Sequence, residues 1–404
     1  MSESVSILGG HQSDFADNLA KSGGSVESLV RDTVLATAAD AQVDLGDIDT
    51  IHVGNAFGQL YTGQGHLGAM PATVIPELWG VPAMRHEAAC ASSSMAVLSA
   101  MAEIESGRYD CVLVLGVEQE KTMPGPEAAA VQEAAAWVGQ DTEGATYIWP
   151  ETFDALADEY DRRYGLDDMH LRAIGELNLR NAKGNPNAQT RAWQLSADTC
   201  STDDHVNPVV TGRLRRNDIT QITDGAAALI LVSDRWLAAR GRTPRARIAG
   251  WGHSTVGLGL QQKLDRNSDS ALVMPHVNQA ITDAFGRASI GGVDQLDAIE
   301  THDCMTPSEY MAIDHFGITA PGESWKAIED GSLERDGRIP VNPSGGLIGG
   351  GHPVGATGAR MLLDATKQVA DQAGDYQVSD ANRVATLNIG GSTATTACFI
   401  VEGV

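Results

Sequence analysis

The chain has 404 residues, enough for two or three domains and more than one hydrophobic core. Hydrophobic residues at 42% and charged residues at 20% exclude a collagen-like, mucin-like or wholly disordered chain. Lys+Arg 28 against Asp+Glu 53 leaves a formal charge of −25, which repels phosphate backbones and anionic lipid and argues against nucleic acid or membranes as general partners. Residues 5–8 and 50–53 are aliphatic runs of strand type. Between them Val26, Leu29, Val30, Val34 and Leu35 share one stripe, predicting an amphipathic helix laid on a sheet. From 91 to 104 apolar or small residues occur nearly all round, which predicts a buried helix, and a strand follows at 111–116. The stretch 119–211 carries Trp137, Trp149 and Trp193 among many polar residues and shows no strand–helix alternation. A segment this long predicts an inserted subdomain, with helices near 153–164 and 170–181. A strand at 226–232 and an Arg-rich connector at 240–247 lead into the second part of the chain. There a strand at 296–300 precedes a helix at 356–369 that starts apolar on most faces, followed by strands at 385–389 and 396–401. Two buried helices, each followed by a strand, predict α/β layers built from two related halves.

Three segments carry reactive side chains in unusual company. In His86-Glu87-Ala88-Ala89-Cys90-Ala91-Ser92-Ser93-Ser94, the thiol of Cys90 stands at the start of the first buried helix. Free N–H groups and the helix dipole there are expected to lower its pKa and make it a nucleophile near neutrality. The small residues after it leave a backbone that a substrate approaches closely. In Gly349-Gly350-Gly351-His352-Pro353-Val354-Gly355-Ala356-Thr357-Gly358, a proton acceptor stands among five glycines before the second buried helix. The spacing is neither G-x-G-x-x-G nor a Walker loop. The third segment, Glu300-Thr301-His302-Asp303-Cys304-Met305-Thr306-Pro307, follows a strand, where sites assemble in α/β folds. Metal binding would need further ligands, which His315 and Cys398 do not supply, so no metal is expected.

Cys111 and Cys398 lie in apolar strand patterns and Cys200 in a polar loop, and all three read as structural. The five cysteines show no C-x-x-C spacing, so a reducing compartment is expected. No leader-like start, no run of 18 apolar residues and no terminal address is visible, which makes the cytoplasm the default location. Arg213, Arg215 and Arg216 form the densest short basic cluster between the reactive segments and are candidate phosphate contacts.

EAACASSSMAV around Cys90, ITDGAAALILVSD in the middle, HDCMTPSEY around Cys304 and GGGHPVGATGAR around His352 together resemble the thiolase superfamily, in particular its sterol-carrier-protein-type and archaeal members. The likeness runs over essentially the whole chain and in order. It implies a five-layered αβαβα fold from two duplicated halves, 1–118 plus 212–245 and 246–404, with 119–211 as an inserted loop domain. It implies acyl transfer between coenzyme A thioesters, with CoA as substrate, no tightly bound cofactor, and a homodimer or tetramer. Cys90 would take the acyl group as a thioester, His352 would activate it, and His302 would help bind the thioester oxygen of the enolate-forming substrate. Many thiolases carry a second catalytic cysteine in a C-x-G motif; here that stretch reads Asn388-Ile389-Gly390-Gly391, and Cys304 would take over the proton transfer. The N–H groups of Cys90 and Gly390 would form an oxyanion hole.

Two other readings remain beside this one. A ketoacyl-synthase-like condensing enzyme shares A-C-A-S-S-S and G-H-x-x-G-A but would add an H-G-T-G-T-like motif, where this chain has His302-Asp303-Cys304. A non-catalytic, thiolase-like subunit is suggested by the missing C-terminal cysteine and by Met305 in place of phenylalanine. A small zinc-ribbon/OB-fold protein is a further partner that the resemblance implies.

Overall fold

A computed structural model describes residues 4–404. Its strands are β1 (Val5–Gln12), β2 (Thr50–Gly54), β3 (Ala83–His86), β4 (Cys111–Glu118), the hairpin β5 (Val209–Thr211) and β6 (Leu214–Arg215), β7 (Gly225–Ser233), β8 (Ala246–Thr255), β9 (Ala298–Thr301), β10 (Arg383–Gly390) and β11 (Thr395–Gly403). Apart from the hairpin they form one hydrogen-bonded sheet in the order β3-β2-β4-β7-β1-β8-β11-β10-β9. Outward from the centre the two halves repeat one pattern. β1 pairs antiparallel with β7, β7 antiparallel with β4, and β4 parallel with β2. In the same way β8 pairs antiparallel with β11, β11 antiparallel with β10, and β10 parallel with β9. The duplication read from the two buried helices is therefore a duplication of sheet topology. Among the described residues the two half-sheets pair through Ser6 with Arg247 and Ile7 with Ala246.

Seven helices matter for the layers: α1 (Val26–Ala41), α2 (Ser92–Glu105), α3 (Ile148–Tyr164), α4 (Asp168–Asn181), α5 (Pro275–Arg287), α6 (Thr306–His315) and α7 (Thr357–Val369). Side chains alternate across each strand, so each strand serves two cores. Val112 and Val114 of β4 meet Ala96 and Val97 of α2 and Leu362 of α7 in the innermost core. Leu113 and Leu115 point the other way, against Leu29, Val30 and Val34 of α1. In the second half Phe399 faces the inner helices, while Ile400 and Leu387 face Val277 and Ile281 of α5. The result is α1, a half-sheet, the α2–α7 pair, the second half-sheet and α5, five layers with the apolar helices at the centre. Leu35 departs from the predicted stripe and is 42% exposed.

Besides the β5–β6 hairpin, two strands of the large sheet escape the sequence reading. β3 is a short, mostly exposed edge, and β8 begins inside the stretch read as a connector at 240–247. The pattern of β8 is broken by Gly250 and Gly252, where a Cβ would sit 2.3 Å from the Ala284 carbonyl oxygen and 1.7 Å from that of Ala280. Those glycines let α5 lie directly on the strand. Between β4 and β7, α3 and α4 pack on α6, and Asn178 of α4 donates to Asp303 (2.8 Å) and Glu309 (2.7 Å). Among the described residues no helix is long and apolar enough to cross a membrane.

The central helices approach at Gly358, where an added Cβ would stand 2.2 Å from Ser94 Oγ and 2.7 Å from Ser94 N. Gly358→Ala should therefore lose about 1–3 kcal/mol through overpacking. Gly286→Ala in α5, where the space is open, should hold or raise stability. Thermal denaturation of the two variants beside the parent checks the contrast.

Candidate active site

The local chain around Cys90 is a tight turn. Residues Ala89–Ala91 form one 3₁₀ turn between β3 and α2, with Ala89 at φ +48. The Ser92 hydroxyl accepts from the Ala88 N–H (3.0 Å) and donates to the Ala89 carbonyl (2.6 Å), which holds that left-handed residue in place. His352 leaves the glycine turn of the other half just before α7, and its N–H donates to the Thr223 hydroxyl (2.9 Å). Because α2 and α7 are the paired central helices, their N-terminal ends meet, and His352 Nε2 lies 3.2 Å from Cys90 Sγ.

The hydrogen-bond polarity around His352 assigns its tautomer. The Thr357 hydroxyl gives its one proton to the Pro353 carbonyl (3.0 Å), so toward His352 Nδ1 (2.7 Å) it accepts. Nδ1 therefore carries the hydrogen, and the Nε2 lone pair faces the thiol. His302 is set by a second chain of bonds. Ser94 donates to Asn388 Oδ1 (2.7 Å), which orients the amide so that its Nδ2 donates to His302 Nδ1 (3.2 Å). The remaining N–H of His302 is then at Nε2. The two imidazoles meet edge-on with centroids 5.4 Å apart.

Cys90 Sγ and one nitrogen from each of His302 and His352 lie within 4.8 Å of one another, a grouping of metal-ligand types. The polarity just described leaves lone pairs on Sγ and His352 Nε2 and a hydrogen on His302 Nε2, so the trio suits proton transfer and oxyanion binding better than a metal centre.

The electrostatics correct one expectation. Burial, reinforced by the carboxylates of Glu120 and Glu118, pushes the Cys90 thiol up to about 12 and outweighs the N–H groups that oppose it. The helix-terminus effect is overruled by desolvation. Burial, with a smaller push from Arg360, brings His352 down to about 3. The resting pair is a neutral thiol against a neutral imidazole. The N–H groups of Cys90 itself and of Gly391 oppose the rise at the thiol. Gly390 ends β10 opposite Thr395, and its carbonyl accepts from Ala394 N (3.0 Å). The chain then turns at Gly391 (φ +61), which stands with Cys90 in the wall of one small cavity.

A cavity of about 230 Å³, with Tyr147, Trp149, Arg216, Ile219, Met305 and His352 in its wall, lies beside a smaller one of about 40 Å³ that Cys90 and Cys304 line together. Trp149, Met305 and His352 are common to both. Cys304 is buried and lies outside the 4.8 Å trio; burial, Cys90 and Asp303 raise its pKa well above the ordinary thiol value. The arginine cluster divides. Arg213 is held by Asp158 (3.0 Å), Asp161 (2.9 Å) and Asp168 (2.9 Å), and Arg215 by Asp204 (2.7 Å) and the Asn207 carbonyl (2.7 Å). Only Arg216 of the three lines the cavity. Cys111 and Cys200 lie in apolar clusters of their own, and Cys398 lies on β11 in the apolar cluster that also holds Cys304; none of the three lines either cavity. Sequence reasoning missed Thr357, Asn388 and Gly391 as site residues, although Thr357 stands in the glycine-rich motif itself, one helical turn past His352.

Residues 5–235 match the family model for the thiolase N-terminal domain, and residues 261–403 match that for a thiolase C-terminal domain-like unit. The chain belongs to the thiolase family. The acetyl-CoA acetyltransferase of Methanothermobacter thermautotrophicus is 31% identical over 397 residues, covering 98% of each chain. Sterol carrier protein 2 of Bos taurus is 26% identical, covering 90% of this chain and 66% of its own. Among solved structures, the Ltp2-ChsH2(DUF35) aldolase shares the fold with a TM-score of 0.77 at 20% identity, over 99% of this chain and 98% of that one. This thiolase is an acyltransferase by family and by the thiol–imidazole pair at its centre.

Two outcomes are expected. Thr357→Val removes the acceptor that holds His352 Nδ1–H, and the loss of one such bond should slow acylation of Cys90 about tenfold, read by rapid-quench mass spectrometry. The buried groups also shape stability against pH. Burial raises Glu118 to about 7 from its ordinary 4.5, and raises Glu300 and Glu309 as well. Their folded-state protons are kept while the unfolded chain has released its own, so stability falls as pH rises from 4.5 to 7 and beyond. His352 at about 3, and His86 and His276 at about 4, stay neutral in the fold while the unfolded chain takes up protons below 6.5, so stability falls as pH drops through that range. The two trends oppose each other between 4.5 and 6.5. Melting temperature should be level there and decline on both sides; a steady rise from pH 6.5 to 8 would contradict this.

Proposed function

We propose that this thiolase cleaves 3-oxoacyl-CoA with CoA, or runs the reverse Claisen condensation, through a thioester on Cys90. The observation that carries the reading is the 3.2 Å contact between Cys90 Sγ and a His352 nitrogen whose lone pair faces it. The thiol proton passes to His352 Nε2 as sulfur attacks the C3 carbonyl. The N–H groups of Cys90 and Gly391 receive the oxyanion. When the C2–C3 bond breaks, its electron pair goes to an enolate whose thioester oxygen is bound by His302 Nε2–H, and Cys304 gives the proton to C2. The high pKa of Cys304 keeps it protonated for that step. An incoming CoA thiol then returns a proton to Cys304, its thiolate takes the acyl group, and Cys90 leaves and recovers the proton from His352.

CoA is thus a substrate, and no tightly held cofactor is required. Arg216, at the larger cavity, is the proposed contact for a phosphate of CoA; Arg213 and Arg215 act as local clamps on their aspartates. We take 119–211 as the loop domain, between halves 1–118 plus 212–245 and 246–404; the mirrored strand order supports that division. A homodimer or tetramer is proposed, supported by the open edge of β3, where Met84 is 43% exposed, and by the 81% exposed Trp79 nearby. A small zinc-ribbon/OB-fold partner is proposed from the fold shared with the Ltp2-ChsH2(DUF35) aldolase. Cytoplasmic location belongs to the same proposal.

Mass spectrometry after incubation with acetyl-CoA or acetoacetyl-CoA should find one acyl group on Cys90 and none on Cys90→Ala. A parent protein that gains no acyl mass would favour the non-catalytic subunit, and activity confined to carrier-protein thioesters would favour the ketoacyl-synthase-like reading. Cys304→Ala should keep acylation and lose about a hundredfold or more in turnover; full turnover would remove the proton-transfer role.

A further inference from the structure

The chain leaving β10 makes a turn, residues 391–394, that holds two left-handed residues, Gly391 (φ +61) and Thr393 (φ +63). Glycine adopts that conformation freely, whereas a β-branched threonine is strained there and persists only where its surroundings over-determine it. They do so here. His276 Nε2 lies 2.9 Å from the Thr393 carbonyl oxygen and 3.2 Å from its hydroxyl, and that hydroxyl donates to Met274 Sδ at 3.3 Å. Thr393 N donates to the Gly391 carbonyl (2.8 Å), and Val256 N donates to that of Ala394 (2.8 Å). Ser392 donates its hydroxyl to the Leu258 carbonyl (2.8 Å) and accepts from Lys263 Nζ at 2.6 Å.

Lys263 is the unusual member of this set. It is 3% exposed, its other donors go to the carbonyls of Gly257 (3.1 Å) and Leu258 (2.9 Å), and among the described residues it makes no ion pair. An ammonium buried against neutral acceptors is costly, so a purely structural tie would be better made by a neutral side chain. The turn it braces begins at Gly391, which lines the small cavity together with Cys90.

We infer that Lys263 is a positioning residue for acyl transfer: through Ser392, and together with His276 on Thr393, it holds the strained turn so that the Gly391 N–H is aimed at the oxyanion of the Cys90 thioester. The inference rests on the thioester reading above. The groups whose charge reaches Lys263 are Asp141 and His276.

The test uses the full chain and two reactions of the same sulfur. Acylation by acetyl-CoA passes through an oxyanion, and alkylation by iodoacetamide does not. Lys263→Met should slow acylation about tenfold to a hundredfold and leave alkylation within about twofold, as expected for a displaced oxyanion donor. Ser392→Ala, which removes one hydroxyl and leaves the lysine, should show the same split to a smaller degree and stands in if the lysine variant does not fold. Acylation at the parent rate in the folded variants overturns the inference, and so does an equal fall in both reactions, which marks a general disturbance of the site. If the parent itself is not acylated, it is the thioester reading that fails.

Discussion

The pairing of thiol and imidazole depends on two buried carboxylates at the end of β4. Glu118 accepts from the N–H groups of Ala56 (2.8 Å) and Phe57 (3.1 Å) and the amide of Asn55 (2.8 Å) in its own half, and from Gly355 N (3.1 Å) in the other. Glu120 accepts from Val354 N at 2.7 Å. Both therefore clasp the backbone that follows His352 and draw it over the Cys90 turn. The central helices add two lighter ties, Ala359 N to the Ser93 hydroxyl (2.9 Å) and Ser94 to Asn388 (2.7 Å). With two residue pairs joining the half-sheets among the described residues, these polar contacts across the inner layer set how the halves meet.

Burial decides the chemistry of the resting site. A desolvated pocket disfavours a thiolate, and Glu120 and Glu118 add to that, so Cys90 waits as a thiol and must be deprotonated at the moment of attack. A neutral imidazole with a correctly placed lone pair meets that need, and Thr357 supplies the placement. A preformed ion pair would instead have asked the fold to stabilise separated charges beside Glu118 and Glu120.

A second buried network holds the other half of the site. Asp303, between His302 and Cys304, accepts from the N–H groups of Leu347 (2.6 Å) and Ile348 (3.0 Å), which belong to the glycine-rich turn leading to His352. Arg360 of α7 lies between Glu300 (3.3 Å) and Asp364 (3.1 Å), a buried cation shared by two carboxylates. Asp303 of the His302-Asp303-Cys304 run thus faces backbone, while Cys304 lines the cavity and His302 meets His352. Each of the three buried polar residues has its own partners.

Much of this was readable in order along the chain. Aliphatic runs and all-round apolar helices are local patterns, and they located seven of the strands and both central helices, because burial of a helix or strand is written in its own residues. The three reactive segments were legible for a like reason: a thiol before a run of small residues and an imidazole among glycines are rare in short windows. What the tertiary structure alone decided depends on groups distant in sequence. The glycines of β8 hid a strand because the surface they fit belongs to α5. Cys90 looked like a lowered-pKa thiol until burial and the charge of Glu120 outweighed the helix end. Arg213 and Arg215 looked like Arg216 until their aspartate partners were placed. Composition and spacing determine which groups are available; desolvation and the orientation of each hydrogen bond depend on what the folded chain brings beside them.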